Sequence, residues 1–301
     1  MNDTQEIAKI QSESNQTEQL EDSSAHLDNR TATRVLSVTS GKGGVGKTAV
    51  VANLGYCLAR SGKKVLIFDA DLGLANIDVV FGLTPQYNLN HFFSGEKDLE
   101  SVMVEGPHGI KIMPAGSGVQ SFIQLDSHQK IRLLEALDSL DHEFDFVLID
   151  TEAGISENVT YFNTAAQQIL VVTTPDPTAI TDAYALMKLL SIKYHEKHFN
   201  LIVNMVQNED EALDVYRKLS MVSHRYLDIS IDFFGSIPFD NQMKDAIRKQ
   251  QVISDFDGSS KISETFKELA GRVVALNSPV SPKGTIQFFW KRLLGLRKIE
   301  E

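Results

Sequence analysis

The sequence predicts one α/β domain, a mostly parallel sheet with helices on both faces, and three observations carry that prediction. Strand-like runs alternate with helical periodicities from Arg34 onward. A glycine-rich loop joins the first run to the first helix, and several later runs end in Asp or Asn. Alternation of this kind builds a parallel sheet whose strands are buried on both faces.

The strand-like runs are Val35–Val38, Val65–Phe68, Ile110–Met113, Phe146–Ile149, Ile169–Val172, Leu201–Val203 and Ile229–Phe234. Between most of them lie helical segments at Ala49–Arg60, His128–Leu140, Thr178–Lys193, Ala212–Tyr226 and Ile262–Ala275. In the first helix Val51, Leu54, Cys57 and Leu58 recur at the spacing of one buried face. Ligands of such sheets sit at the carboxyl ends of the strands, where the loops gather. The chain has no visible internal repeat.

The loop reads Gly41-Lys42-Gly43-Gly44-Val45-Gly46-Lys47-Thr48 and satisfies the G-x-x-x-x-G-K-[ST] phosphate-loop pattern. Glycines let successive backbone N–H groups turn inward toward phosphate oxygens. Lys47 would reach the β/γ-phosphates, and Thr48 would offer its hydroxyl to Mg²⁺. A glycine-rich turn with incidental lysines is the competing reading. The strand before the loop and the helix after it count against that, because they put the nucleotide at a helix N-terminus. Lys42 is an additional cation, suited to neutralising further charge, such as that of a partner subunit's nucleotide.

The second run ends in Phe68-Asp69-Ala70-Asp71 and continues Leu72-Gly73-Leu74-Ala75-Asn76-Ile77-Asp78. A carboxylate emerging there, Asp69 or Asp71, can support Mg²⁺ or orient the attacking water. Either can instead cap the next helix. The run ending at Ile149 is followed by Asp150, the form of a Walker B strand whose tip holds Mg²⁺ or its water. Asn204 ends a later run, either as an amide able to read adenine or as a turn residue.

Composition excludes several classes. The formal charge is −11, from 29 basic and 40 acidic residues, which argues against autonomous DNA binding. Cys57 is the single cysteine, so an internal disulfide, a CxxC zinc half-site or a cluster ligand set is out of reach. It reads as a small buried apolar residue. No apolar run approaches a membrane span, and the start lacks the order of a signal peptide. The expected location is the cytoplasm.

Residues 1–33 are polar and poor in apolar side chains, the composition of a flexible tail. The ordered domain is expected over 34–277, with a Pro/Gly hinge at 278–284. The last segment, 285–301, is the candidate membrane anchor. Ile286, Phe289, Trp290, Leu293 and Leu296 fall on one helical arc, with Lys291, Arg292 and Lys298 away from its centre. Lys283, Lys291, Arg292, Arg297 and Lys298 meet no acid between 283 and 299. A basic amphipathic helix on an acidic protein reads as an anchor for anionic lipid. Phe288 and Arg297 break the pattern, and docking on the protein's own core is the other reading.

Taken together, Lys-Gly-Gly-Val-Gly-Lys-Thr, Asp69-Ala70-Asp71-Leu72-Gly73-Leu74-Ala75-Asn76-Ile77-Asp78 and the Asp150 strand resemble the MinD/ParA family of deviant Walker A ATPases, with its SIMIBI-type P-loop NTPase fold. Four further stretches resemble the flagellar-number regulator branch, FlhG/FleN. They are Phe81–Pro85, Pro114–Gly118, Thr174-Pro175-Asp176-Pro177-Thr178 running on to Leu186, and Phe234–Asp240. The resemblance spans about Thr33 to Arg297.

It implies a slow ATPase that forms an ATP-dependent sandwich homodimer. In that picture Lys42 reaches the partner's phosphates, while Lys47 and Thr48 serve their own nucleotide. Asp71 positions the hydrolytic water, and Asp150 and Asp69 support Mg²⁺. Asn204 and the loop with Pro238 and Asp240 surround adenine. The C-terminal segment, with Phe289, Trp290, Lys291, Arg292 and Leu293, docks on anionic membrane when ATP drives dimerisation. The implied place is the inner face of the cytoplasmic membrane at the cell pole. The implied partners are a flagellar master transcription activator and an FlhF-type GTPase.

Two departures stand out. Glu152 occupies a position where relatives carry a small residue or proline; it either slows turnover or dimerisation, or points to solvent without effect, the reading favoured here. The N-terminal segment lacks the Asp-Gln-Ala motif that some FlhG proteins present to FlhF. The alternatives are a division-site or chromosome-positioning ATPase with the same core chemistry, and a partner-binding module with negligible hydrolysis. A nitrogenase-iron-protein type of reductase needs bridging cysteines, and a tyrosine autokinase needs a terminal tyrosine cluster. The chain has neither.

Overall fold

The structure, a computed structural model, describes residues 33–71, 76–114 and 143–276, together with His128, Ile131, Arg132, Glu135, Ala136 and Leu140. Residues 1–32, the 278–284 hinge and the 285–301 anchor segment lie outside the described residues.

Among the described residues, eight strands form one sheet in the order β3-β4-β2-β5-β1-β6-β7-β8. They are β1 (Arg34–Ser40), β2 (Val65–Ala70), β3 (Val104–Glu105), β4 (Lys111–Met113), β5 (Phe146–Ala153), β6 (Gln168–Thr173), β7 (His198–Val206) and β8 (Ser230–Pro238). All neighbours run parallel except β3, which pairs antiparallel with β4 at the edge. The fully described helices of eight residues or more are α1 (Lys47–Arg60), α2 (Glu157–Ala165), α3 (Pro177–Tyr194), α4 (Glu209–Tyr226), α5 (Asn241–Arg248) and α6 (Lys261–Ala275).

Alternation along each strand sorts the core into two layers. Leu36 and Val38, Phe146 and Leu148, and Leu170 and Val172 share one apolar cluster with α1 and α6. Val35, Val147 and Ile149 face the other way with α2, and Ile169 and Val171 do so with α3 and α4. A side-chain period of two makes this division unavoidable once strands are buried on both faces. Arg34, at the start of β1, donates to the Leu276 and Val274 carbonyls at 2.8 and 3.0 Å. It thereby caps the end of α6 and ties that layer to the central strand.

All seven expected strands are present, most of them longer than their apolar runs. β8 continues past Phe234 through Gly235 to Pro238; a register shift against β7 skips Phe234, so that Phe233 lies opposite Leu201 and Gly235 opposite Ile202. The edge strand β3 was not expected; two residues carry no periodicity. Helix α2 was also not expected. Its sequence, Glu-Asn-Val-Thr-Tyr-Phe-Asn-Thr-Ala, is rich in weak helix formers. Tertiary packing overrides that preference: Val159 and Phe162 are buried, and Phe162 meets Phe68 edge-on at 5.5 Å. Helix α5 was missed for a related reason, since only Ala246 of its eight residues is buried. Of the expected helix at His128–Leu140, the described residues His128, Ile131, Arg132, Glu135 and Ala136 are helical. Among the described residues no helix is long and apolar enough to cross a membrane.

Candidate nucleotide site

The glycine-rich loop leaves the C-terminal end of β1, the central strand between β5 and β6. Ser40 closes the first turn, its hydroxyl donating to the Lys42 carbonyl at 3.0 Å. Gly44 and Gly46 both take positive φ, 81° and 85°, in the left-handed region that glycine enters without a steric penalty. Gly46 is the N-cap of α1; no side chain caps it, and no acid lies in the first turn. The leading N–H groups of a 14-residue helix are therefore left to bind an anion, with the dipole in their favour.

Gly41 has a different role. A Cβ placed there would lie 2.2 Å from the Asp182 carbonyl carbon and oxygen of α3. The loop thus packs backbone to backbone against that helix. On its other side the Asn204 amide, at the end of β7, donates to the Val45 carbonyl at 2.8 Å, and its Oδ1 accepts the Met205 N–H at 2.9 Å. Asn204 is buried. Its observed role is to prop the phosphate loop, leaving one N–H and one lone pair of the amide for any base contact.

Beneath the loop, Lys47 and Asp150 form a buried ion pair of 2.5 Å. Burial pushes the Asp150 carboxyl up, and Lys47, together with the Thr48 side chain, works to lower it. In the β2–β5 register Asp69 lies directly beside Asp150. Burial, with the neighbouring Asp150 charge, pushes Asp69 up to about 7. Three backbone N–H groups oppose that shift: Asp71 donates to Oδ1 at 3.1 Å, while Asn76 and Ile77 donate to Oδ2 at 2.9 and 3.1 Å. Through the Asn76 and Ile77 N–H groups Asp69 holds the start of the short helix Ile77–Val80. Hydroxyl and carboxylate oxygens with two acids against one lysine make a donor set that suits Mg²⁺.

The loop opens on a cleft of about 750 Å³. Gly43, Gly44, Val45, Gly46, Lys47 and Thr48 form its floor, Lys42 is at the rim, and Asp71, Asn76, Val80, Glu152, Ala153 and Ile247 complete the walls. Val80 and Ile247 were not anticipated, since apolar residues outside a motif carry no mark of a site, and Asn76 belongs to the run after Asp71 but had been given no role. Glu152 is half-buried on the cleft wall and accepts the Ser156 hydroxyl at 2.9 Å. Pro238 and Asp240 do not line this cleft. Asp240 caps α5, accepting the Gln242 N–H at 2.8 Å. Pro238 lines a separate cavity of about 230 Å³ beside the start of α4.

Lys42 turns away from its own loop. Its ammonium donates to Asp176 Oδ2 at 2.9 Å and to the Thr178 hydroxyl. Asp176 is the N-cap of α3, with Oδ1 accepting the Thr178 N–H at 2.8 Å. The Lys42 hydrogen bond, aided by that N–H, lowers the Asp176 carboxyl to about 2. The pair is about half exposed, so water screens it and it is readily broken. A carboxyl carbon titration by NMR should put the Asp176 midpoint near 2, rising toward the ordinary 3.8 in Lys42→Ala. An unchanged midpoint in the variant would show that the pair does not form in solution. Sequence reasoning singled out Asp176-Pro177-Thr178 without seeing this contact, because the two segments are 134 residues apart.

Comparison with known proteins agrees with this geometry. The ParA profile, described as NUBPL iron-transfer P-loop NTPase, matches residues 31–274. Antiactivator FleN of Pseudomonas aeruginosa is 41% identical over 87% of this chain and 93% of its own length. Flagellum site-determining protein YlxH of Helicobacter pylori is 34% identical over 89% of this chain and 92% of its own. This chain belongs to the ParA/MinD family of P-loop ATPases, in the FleN and YlxH branch. Solved structures of ParA/MinD proteins share its fold. MinD in the MinC:MinD cell division complex of Aquifex aeolicus superposes with a TM-score of 0.66 at 27% identity, covering 84% of this chain and 100% of that one. MinD of Pyrococcus horikoshii, complexed with Mg-ADP, gives 0.64 at 26% identity over 80% and 96%. A ParA/MinD core thus accounts for the sheet, the loop and the two strand-tip carboxylates.

Proposed function

We propose that this chain is a slow ATPase switch that restrains flagellar number or placement. The observation that carries the reading is the second lysine of the loop, held away from its own phosphate cradle on α3. A cation parked on a weak, half-exposed carboxylate is free to transfer to a stronger anion, and the phosphates of a second copy offer one. On this reading ATP binding draws two copies together, and each Lys42 leaves Asp176 for the partner's nucleotide.

Within each copy the loop N–H groups and Lys47 bind the phosphates. Thr48 and Asp150 would hold Mg²⁺, with Asp69 fixing the turn behind them, and the ion would neutralise phosphate charge. Asp71, on the cleft wall, orients the attacking water. Asn204 keeps the loop closed and offers its remaining amide sites to adenine; Pro238 and Asp240 reach the base only if α5 moves.

FleN is named an antiactivator and YlxH a flagellum site-determining protein. Those names support restraint of a flagellar activator and a role in flagellar placement; an FlhF-type GTPase as partner and a location at the membrane of the cell pole belong to the same proposal. The basic segment 285–301 is proposed as the membrane anchor. Removing it should abolish ATP-dependent sedimentation with anionic liposomes, and undiminished sedimentation would reassign the segment. A division-site role is the second reading, because MinD of Thermotoga maritima is 31% identical over 79% of this chain. A clean chromosomal deletion separates the two by electron microscopy. We expect extra or misplaced flagella with normal septa, uncorrected by Lys42→Ala. Minicells with normal flagella would move the same ATPase cycle to division-site selection.

A further inference from the structure

Glu152 lies in the nucleotide cleft but takes none of the roles assigned above. It is two residues beyond Asp150 near the end of β5, past an irregularity in the β1–β5 pairing between Asp150 and Ala153, and it lines the cleft beside the phosphate loop. β2 and β5 set Asp69 beside Asp150 and Ala70 beside Thr151, and Asp71 and Glu152, the residues that follow this last pair, both line the cleft. On the other flank Ser40 pairs with Ala153, and the Gly154 N–H donates to the Ser40 carbonyl at 2.8 Å. Glu152 is therefore seated at the entrance to the phosphate loop. Its carboxylate is anchored: Oε2 accepts the Ser156 hydroxyl at 2.9 Å, and Ser156 Oγ accepts the Val159 N–H at 3.3 Å to cap α2. The two cleft lysines are paired with Asp150 and Asp176.

We propose that Glu152 sets the preference of this cleft between nucleoside di- and triphosphate. The inference rests on the nucleotide-binding reading above. The inner phosphates lie over the loop and α1, where Lys47 serves them. The outermost phosphate of a triphosphate extends toward the mouth, where Glu152 meets it with a like charge beside Asp71. A diphosphate stops short of that point. Repulsion between unit charges about 5 Å apart, between the surface and bulk-water limits, corresponds to roughly five- to hundredfold in affinity. Because the carboxylate is tied to Ser156, it cannot swing away at no cost.

Equilibrium titrations of the full chain with MgADP, and with Mg²⁺ plus a non-hydrolysable ATP analogue, test this. Glu152→Gln keeps the shape and removes the charge. We expect it to tighten the triphosphate analogue about tenfold while MgADP stays within about twofold, and Glu152→Ala should shift in the same direction. The gain should shrink as salt rises, because screening weakens a charge effect and leaves a packing effect alone. No change, or equal changes for both nucleotides, would overturn the proposal. A wild-type chain that binds neither nucleotide would overturn the ATPase reading itself, an outcome distinct from the first.

Discussion

Lys47→Met should abolish ATP turnover and lower the folding stability of the nucleotide-free protein by about 3–5 kcal/mol at pH 8. The functional loss follows from removing the cation that faces the phosphates. The stability loss comes from what remains: Asp150 is buried beside Asp69, and Lys47 is its ion-pair partner at 2.5 Å. Deleting one member of a buried pair leaves an uncompensated charge, a far larger penalty than the net worth of the pair. The sign with pH follows from linkage. In the variant, burial without Lys47 raises Asp150 further above its unfolded value, so the native state binds the proton more readily than the unfolded state. Stability then falls as pH rises through the acid range toward neutrality. The deficit against wild type should be small near pH 5 and full at pH 8. Urea denaturation at the two pH values decides it, and a deficit that is equal at both would show that Asp150 is not the source.

Gly41→Ala should reduce nucleotide affinity by at least about a hundredfold, and Gly43→Ala should leave folding stability unchanged. The two glycines look equivalent in the motif, but their surroundings differ. An added Cβ at Gly41 would lie 2.2 Å from backbone atoms of Asp182. Backbone in the interior of α3 cannot retreat as a side chain can, so the loop must move instead. The shift needed is on the order of 1 Å, enough to misplace a phosphate cradle. At Gly43 an added Cβ meets nothing within 4 Å, and its φ is not in the left-handed region. Denaturant midpoints and nucleotide titrations on both variants check the contrast. Equal stability and affinity for Gly41→Ala and wild type would mean that the loop does not sit against α3.

Local features of the site were legible because their chemistry is written in adjacent residues. The loop from Gly41 to Thr48 needs glycines, a lysine and a hydroxyl in consecutive order, so it is visible without a fold. Asp69, Asp71 and Asp150 were legible as strand tips, since each follows an apolar run that must end where solvent or a ligand begins. Their division of labour was not. Whether Asp69 caps a helix or holds a metal depends on which N–H groups curl back to it, and three do. Asn204 was visible as a polar strand end, but its bond to Val45 joins residues 159 apart. Glu152 was visible as an odd residue, while its placement on the cleft wall required the β1–β5 register.

By itself the sequence determined the parallel α/β architecture, the phosphate loop and the family. Strand burial, helix periodicity and a contiguous motif are all set by neighbours in the chain. Tertiary structure alone decided the parking of Lys42 on Asp176 and Thr178, the backbone contact of Gly41 with α3, and the entry of Ile247 and Glu152 into the cleft. Each of these joins segments that are distant in sequence, and no local propensity encodes a distance across the sheet. The register of β1, β2 and β5 sets those distances, and the register follows from burying both faces of the central strands at once.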